Sequence, residues 1–195
     1  LIPRFYDVAA GRVLVNGLDV REWELTGLRH QMGFVPQTSV LFHGTIRDNL
    51  QWGNPSATDD DCWQALTTAQ CREFVEKLSE GLDTMVMEGG KNFSGGQKQR
   101  LSIARALIRK PRLLILDDSL SALDYQTDLA LRQALASDLN SAVIIISQRV
   151  RSIQHAKQIL VLENGRLVGK GSHDDLLAHS PEYQAIVTSQ EETHE

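Results

Sequence analysis

Two adjacent carboxylates follow an apolar run, where they could help to bind a metal ion. Residues 113–116 read Leu-Leu-Ile-Leu, and Asp117 and Asp118 come directly after them. A continuous apolar run predicts a strand buried on both faces of a parallel sheet, and open α/β sheets bind ligands at the carboxyl ends of their strands. In phosphate-transfer proteins a carboxylate at this place orients a magnesium ion. The alternative is a strand that merely ends in a polar turn.

A second motif, about twenty residues earlier, has the residue types that bind phosphate. Ser94 is followed by Gly95, Gly96 and Gln97. Glycines at a helix start let a phosphate approach the backbone, and unpaired amide groups together with the helix dipole attract anions. Ser94 and Gln97 also have the spacing of a capping box, which would simply begin a helix. A capping box does not require the two glycines, which cost a helix roughly 1 kcal/mol each.

These motifs resemble those of the ATP-binding-cassette (ABC) ATPases. Residues 92–100 resemble the signature motif of that family, and residues 113–118 resemble its Walker B strand. Residues 121–124 (Ser-Ala-Leu-Asp) are similar to the D-loop, and Gln37 resembles the glutamine of the Q-loop. The motifs occur in the order and spacing of the family, and the resemblance covers essentially the whole chain.

The resemblance implies ATP and Mg²⁺ as cofactors. Two ATPase domains would pair head to tail, and ATP would bind between them. Asp117 and Gln37 would organise the magnesium ion, and Asp118 and Gln148 occupy the catalytic positions. The residues that the resemblance assigns to nucleotide binding are Gln37, Ser94, Gly95, Gly96, Gln97, Asp117 and Asp124.

Both catalytic positions depart from the family pattern. Asp118 stands where active members have glutamate, and a misplacement of about 1 Å can cost a catalytic group on the order of a hundredfold in rate. Gln148 replaces the histidine that contacts the terminal phosphate; glutamine donates a hydrogen bond but cannot become a cation. The signature motif is intact, which favours one half of a heterodimeric exporter: its own Walker site is degenerate, and its signature completes the site of the partner.

A third departure from the family pattern is the absence of its phosphate-binding loop from this sequence. No GxxxxGK[ST] motif occurs in the sequence, and the resemblance places that loop just before Leu1. We therefore expect a fragment that begins before or within the Walker A helix, without the preceding strands, and that is inactive alone. We also expect exposed sheet edges to pair with other chains, since such edges form templates for pairing.

Further segments resemble exporters, in which the ATPase is fused behind six membrane helices. Residues 41–49 match the segment after the Q-loop, and residues 84–90 match a loop that touches the membrane domain. The expected partners are a second ABC ATPase domain and an N-terminal transmembrane domain, and the expected location is the cytoplasmic face of the cell membrane. Three alternatives stay open: a homodimeric exporter with slow hydrolysis, a non-transport cassette ATPase acting on DNA or ribosomes, and a truncated fragment without nucleotide binding.

Composition excludes other classes of function. The 195 residues carry a net charge of −5, whereas nucleic-acid binding favours a basic surface. The apolar run at residues 142–146 is far shorter than the roughly 20 residues that cross a bilayer. Cys62, Cys71 and the histidines lack ligand spacing, so we expect no structural metal and two semi-buried cysteines.

The elements that must position these residues alternate along the chain. We predict strands at 11–16, 18–20, 32–35, 112–116 and 142–146, and a hairpin of 159–163 and 166–169 around Asn164-Gly165. Helices are predicted to begin at Thr58 and Ser94, around Phe74, and to span Asp124–Ala136, followed by two short helices at the end of the chain. This pattern predicts an α/β fold; with the resemblance, a RecA-like parallel-sheet core (1–44 and 109–195), an inserted helical subdomain (45–108) and a small antiparallel β portion.

Overall fold

The computed structural model describes residues 1–138 and 141–191. The strands are β1 (Leu14–Val15), β2 (Leu18–Asp19), β3 (Met32–Val35), β4 (Gly44–Thr45), β5 (Met85–Val86), β6 (Leu113–Asp117), β7 (Ala142–Ile146), β8 (Ile159–Glu163) and β9 (Arg166–Gly171). The α-helices are α1 (Leu25–His30), α2 (Ile46–Gln51), α3 (Asp59–Thr68), α4 (Arg72–Glu76), α5 (Gly95–Leu107), α6 (Tyr125–Asp138), α7 (Val150–Ile153), α8 (His173–His179) and α9 (Pro181–Glu191).

A sheet with the strand order β3-β6-β7 positions the acidic residues. Strands β3 and β6 run parallel, with Val35 opposite Leu116. Leu114 and Leu116 are fully buried, which confirms the prediction of a buried strand. Because parallel neighbours end at the same edge of a sheet, the chain leaves β3 and β6 side by side.

Strand β7 has the predicted bounds but is not buried as predicted. Ala142 is exposed, the middle residues are half-buried and Ile146 is 49% exposed. The end position in the sheet does not by itself expose a strand, since β3 lies at the other end of the order and is largely buried where α5 packs on it. An apolar run thus predicts a strand, whereas the elements that pack on this strand decide how far it is buried.

Two antiparallel hairpins turn on Asn-Gly pairs. One is the predicted hairpin of 159–163 and 166–169 around Asn164-Gly165, and the other joins the predicted strands at 11–16 and 18–20. Asn164 and Gly165 have φ angles of 49° and 77° between β8 and β9, and Asn16 and Gly17 have 52° and 81° between β1 and β2. Positive φ at both central residues is what the two-residue hairpin turn requires. The predicted strand at 11–16 is shortened to β1, and Gly11 at its predicted start has φ 76°, outside the strand region. The parallel sheet, these hairpins and the helices confirm the α/β class with small antiparallel portions.

Helix α5 joins the sheet to the helices that precede it in the chain. A Cβ atom on Gly33 of β3 would lie 3.1 Å from the Ala106 carbonyl oxygen, so α5 packs directly on this strand. On its other sides α5 contacts α2 and α3, and Leu101, Ile103 and Leu107 are buried. This helix therefore fixes where residues 46–68 lie relative to β3.

The chain divides into two compact units, residues 1–144 and 145–195. In the second unit Val150, Ile159, Val161, Leu176 and Tyr183 form a buried cluster. The predicted division into a core of 1–44 and 109–195 and a helical subdomain of 45–108 stays a prediction.

Cys62 and Cys71 are free and buried in the first unit. Burial raises the pKa of both thiols, so neither has the features of a reactive thiolate. Of the helices in the described ranges, none combines the length and apolar character that crossing a bilayer requires. Within the same ranges, no three His, Cys, Asp or Glu side chains are placed to hold a metal ion together.

Candidate functional site

The ends of β3 and β6 bring Gln37 to the acidic pair. Gln37 Nε2 donates a hydrogen bond of 3.3 Å to Asp118 Oδ2. The two residues are 81 positions apart in the chain, and the parallel pairing of β3 with β6 explains why they meet. The sequence predicted Gln37 beside Asp117; the contact that forms is with the neighbouring carboxylate.

Asp118 has left-handed backbone geometry, with φ 45°. Positive φ is uncommon outside glycine, although aspartate tolerates it better than most residues. The Ser121 hydroxyl donates to the Asp118 carbonyl oxygen at 2.9 Å, and the next two residues, Ser119 and Leu120, are buried. The turn that presents the Asp118 carboxylate is thus held from within the chain, and sequence reasoning did not foresee it.

Asp117 is the half-buried last residue of β6. No hydrogen bond or ion pair joins its carboxylate to another residue of the described ranges. Magnesium prefers oxygen ligands and usually keeps several waters, so that the protein often supplies one or two side chains. The Asp117 carboxylate and the Gln37 amide oxygen, on adjacent strand ends, fit this requirement.

The start of α5 is a complete capping box. Gln97 N–H donates to Ser94 Oγ at 3.3 Å, and Ser94 N–H donates to Gln97 Oε1 at 2.9 Å. The simpler interpretation of these two residues is therefore realised in the structure.

The two glycines at this helix start have different surroundings. A Cβ atom on Gly96 would lie 3.3 Å from the Ala122 carbonyl oxygen, so close packing against residues 121–124 explains this glycine. Among the described residues, apart from its chain neighbours and the backbone of its own helix, no atom lies within 4 Å of the corresponding position on Gly95. The backbone at Gly95 therefore faces open space, where a phosphate could approach the first amides of the helix.

Asp124 caps helix α6. Thr127 N–H and the Thr127 hydroxyl donate to its two carboxylate oxygens at 2.9 and 2.7 Å. These bonds hold the pKa of the Asp124 carboxyl below its usual value. The structure thus gives Asp124 a local role, and its predicted contact with nucleotide stays a prediction.

Gln148 lies in the second compact unit, exposed, between β7 and α7. Its backbone carbonyl accepts a hydrogen bond from Gln190 Nε2, and Val150 N–H donates to Gln190 Oε1. A cavity of about 1040 Å³ opens beside this loop, with Arg149 and His173 among its lining residues. Sequence reasoning missed Gln190, which belongs to no motif; its only signal is the spacing from Tyr183 on one face of α9.

Exposed apolar side chains lie on the segments that β4 and β5 hold together. We call Phe42, Trp52, Met85 and Met87 the aromatic–methionine set. The rings of Phe42 and Trp52 are stacked with their centroids 4.7 Å apart, and Trp52 is 67% exposed. Asn92, the first residue of the signature-like segment, donates to the Met85 carbonyl oxygen at 2.9 Å and accepts from Met87 N–H at 3.0 Å. This side chain connects β5 and Met87 to the segment that precedes α5.

Comparison with known proteins gave concordant findings. Residues 1–121 match the model of the family described as ABC transporter. The chain is 47% identical over 190 residues to the uncharacterized ABC transporter ATP-binding protein YfiB of Bacillus subtilis. It is 42% identical over 193 residues to the putative multidrug export ATP-binding/permease protein YgaD of the same organism. Each alignment covers 97% of this chain and 33% of the relative, so the chain spans about a third of the length of these relatives.

A solved structure agrees in fold. The chain superposes on the structure of a bacterial Atm1-family ABC exporter with ATP bound, with a TM-score of 0.93 and 38% sequence identity. The match covers 97% of this chain and 34% of the exporter chain. At this identity and coverage, the parallel sheet, the antiparallel portions and the helices are those of an ABC ATPase domain, as the sequence predicted.

Proposed function

Since the chain belongs to the ABC transporter family, we propose that it is the ATP-binding part of an exporter. In the full protein it would couple ATP binding and hydrolysis to transport across a membrane, on the cytoplasmic face. The names of the relatives support this proposal, as two of them are a putative multidrug export protein and an Atm1-family exporter. The helical subdomain at 45–108 would carry the signature motif, and the transmembrane domain would contact the aromatic–methionine set.

The catalytic residues of this chain would form a degenerate site. When bound, Mg²⁺ would neutralise phosphate charge, with Asp117 and Gln37 as its protein ligands. Asp118 would take the place of the residue that polarises the attacking water. Its side chain is one methylene shorter than that of glutamate, and its carboxylate already accepts a hydrogen bond from Gln37. Gln148 would donate a hydrogen bond to the terminal phosphate but supply no positive charge.

The start of α5 would act on nucleotide held by a partner domain. The observation that carries this proposal is the open space at Gly95, next to a helix start whose cap is intact. Unpaired amides there attract anions, and Ser94, Gly95 and Gly96 would close on the partner-bound γ-phosphate. A degenerate Walker site beside an intact signature supports a heterodimer. The second candidate is a homodimeric exporter with slow hydrolysis, because Asp118 still carries a carboxylate.

The test is ATP turnover by the full-length protein with its candidate partner. Ser94→Asp keeps a good helix cap but places a negative charge where the γ-phosphate would bind, so we expect turnover to fall by at least about a hundredfold, the scale of losing one key phosphate contact. Asp118→Glu should restore or add turnover. Brisk turnover by the full-length protein alone, unchanged by Asp118→Glu, would instead support the homodimer.

A matched control separates the cap from the phosphate contact. Ser94→Asn is that control, because asparagine caps a helix about as well as aspartate but carries no charge. Turnover in Ser94→Asn should fall much less than in Ser94→Asp. Equal losses in the two variants would contradict repulsion of a bound phosphate at Ser94. This chain, tested without the rest of the protein, should show no turnover.

A further inference from the structure

Helix α9 places one side chain on the loop that carries Gln148. Val150 N–H donates to Gln190 Oε1 at 3.0 Å, and Gln190 Nε2 donates to the Gln148 carbonyl oxygen at 2.5 Å. A single primary amide thereby joins two peptide groups on either side of Arg149. The Gln148 side chain takes no part in these two bonds.

We propose that Gln190 is a positioning residue for Gln148. Its amide fixes the backbone of residues 148–150 and so aims the Gln148 side chain at the phosphate. This inference rests on the proposed function of Gln148, and it adds a residue of α9 that would hold Gln148 in position.

The loop has a need that Gln190 meets. Helix α7 begins at Val150, and Arg149 before it provides no side-chain cap. The first amides of a helix lack partners within the helix, and the Gln190 oxygen supplies one for Val150. On the other side, Ser147 Oγ accepts from Arg149 N–H at 2.9 Å. The segment is thus held by a local turn at one end and by α9 at the other.

The position of Gln190 is set by core packing. Tyr183, on the same helix, is 1% exposed within the cluster that includes Val150, and its hydroxyl lies 2.9 Å from His173 Nδ1. Val187 packs against the same cluster. Residues spaced by three and four positions share one face of a helix, so Tyr183, Val187 and Gln190 form one stripe. The buried part of this stripe determines where the Gln190 amide lies.

This placement matters for a hydrogen-bond donor such as Gln148. A neutral amide must be oriented, since it lacks the long-range attraction of a charge. Fixing the backbone before the ligand arrives lowers the entropy that binding must remove. The weaker the contact made by residue 148, the more its contribution depends on a preformed loop.

The first test is hydrogen exchange of the Val150 amide in the nucleotide-free full-length protein. Gln190→Ala removes both bonds, and exchange at Val150 should become about fivefold faster, the effect of one ordinary hydrogen bond. Gln190→Glu keeps an acceptor for Val150 but turns a second oxygen toward the Gln148 carbonyl, so it should not restore protection fully. The control is Gln184→Ala, on the same helix, whose side chain donates to the Leu177 carbonyl oxygen instead. Unchanged exchange in Gln190→Ala would overturn the proposal.

The second test asks whether Gln190 acts through Gln148. Photolabelling of this chain by 8-azido-ATP in the full-length protein gives a half-saturating concentration. Gln148→Ala and Gln190→Ala should each raise it about fivefold, and the double variant no more than Gln148→Ala alone. Multiplied effects of about twenty-five-fold would show that Gln190 acts independently and would overturn the inference.

The two tests distinguish failure of the inference from failure of the proposed function. If Gln148→Ala leaves labelling unchanged, Gln148 does not contact the nucleotide, and the role assigned to Gln190 falls with it even where exchange is faster. If Gln148→Ala weakens labelling while Gln190→Ala changes neither measurement, the proposed function stands and the positioning role is wrong.

Discussion

At the scale of single residues, the backbone of Asp118 constrains the site as much as its carboxylate does. Its φ of 45° places it in the left-handed region, where aspartate and asparagine are enriched and β-branched residues are strained. The Ser121 hydroxyl and the buried neighbours of Asp118 over-determine this turn. Substitutions at 118 therefore test two properties, charge and backbone conformation, which must be separated.

We expect Asp118→Asn and Asp118→Val to differ in stability. Asparagine tolerates the left-handed turn and can still accept from Gln37, so the free energy of unfolding should change by less than about 0.5 kcal/mol. Valine cannot adopt this backbone without strain, which costs on the order of 1–3 kcal/mol. Urea unfolding of the chain measures both. An equal loss in the two variants would show that the turn relaxes and imposes no constraint.

At the scale of elements, one ion pair ties helix α3 to the segment after α5. Asp61 accepts from Lys110 Nζ at 2.8 Å and from the Thr58 hydroxyl at 2.8 Å. The pKa of the Asp61 carboxyl is lowered from 3.8 to about 2. The hydrogen bond from Lys110 is the largest cause, and the hydrogen bonds from Thr58 add to it. A carboxyl whose pKa is lower in the folded state stabilises the fold above its unfolded pKa, and this stabilisation is lost as the pH falls through the folded value.

Asp61→Asn should therefore alter the acid end of the stability profile. Asparagine keeps an acceptor for the helix cap but loses the charge that pairs with Lys110. Above about pH 4 the variant should be less stable than the original chain, and the difference should shrink as the pH falls towards 2. Urea unfolding between pH 2 and 7 measures this. Asp60→Asn, at an exposed neighbour in the same turn, is the control; a pH-independent difference for Asp61→Asn would contradict the account.

Elements were predictable where local chemistry decides them. The N-caps at Thr58 and Ser94 and the Asn164-Gly165 turn follow from side chains within a few positions, and all three are confirmed. That Gln37 lies near the acidic pair was expected from the resemblance to ABC ATPases, and the parallel pairing of β3 with β6 accounts for the contact. The partial exposure of β7 and the bonds of Gln190 were not predicted, because they depend on contacts between residues distant in sequence. The left-handed backbone of Asp118 was not predicted either, because aspartate only tolerates positive φ and does not signal it. The residue roles in nucleotide binding stay predictions.

At the scale of the whole molecule, the exposed aromatic–methionine set is where we propose that the chain meets its membrane domain. Exposed aromatic side chains and methionines are typical of interfaces, and Trp52 is 67% exposed although it stacks on Phe42.

Trp52→Ser should uncouple transport without unfolding the chain. Substitution of an exposed residue changes the free energy of unfolding by less than about 0.5 kcal/mol, whereas a tryptophan at the centre of an interface can contribute 2 kcal/mol or more, about thirtyfold in affinity. Export by the full-length protein should fall severalfold while the melting temperature of the chain stays the same.

The control is Leu162→Ser, since Leu162 is 70% exposed on β8 in the other compact unit. Export should be unchanged in this variant. If both variants reduce export equally, the effect comes from exposed apolar surface in general and not from the aromatic–methionine set.

The two hydrogen bonds of Asn92 connect the aromatic–methionine set to the start of α5 over a short distance in the chain. Asn92 holds the main chain of Met85 and Met87 with its amide, and Ser94, only two residues later, begins the helix whose amides face the proposed phosphate. A displacement of residues 85–87 would therefore be transmitted through Asn92 to the start of α5.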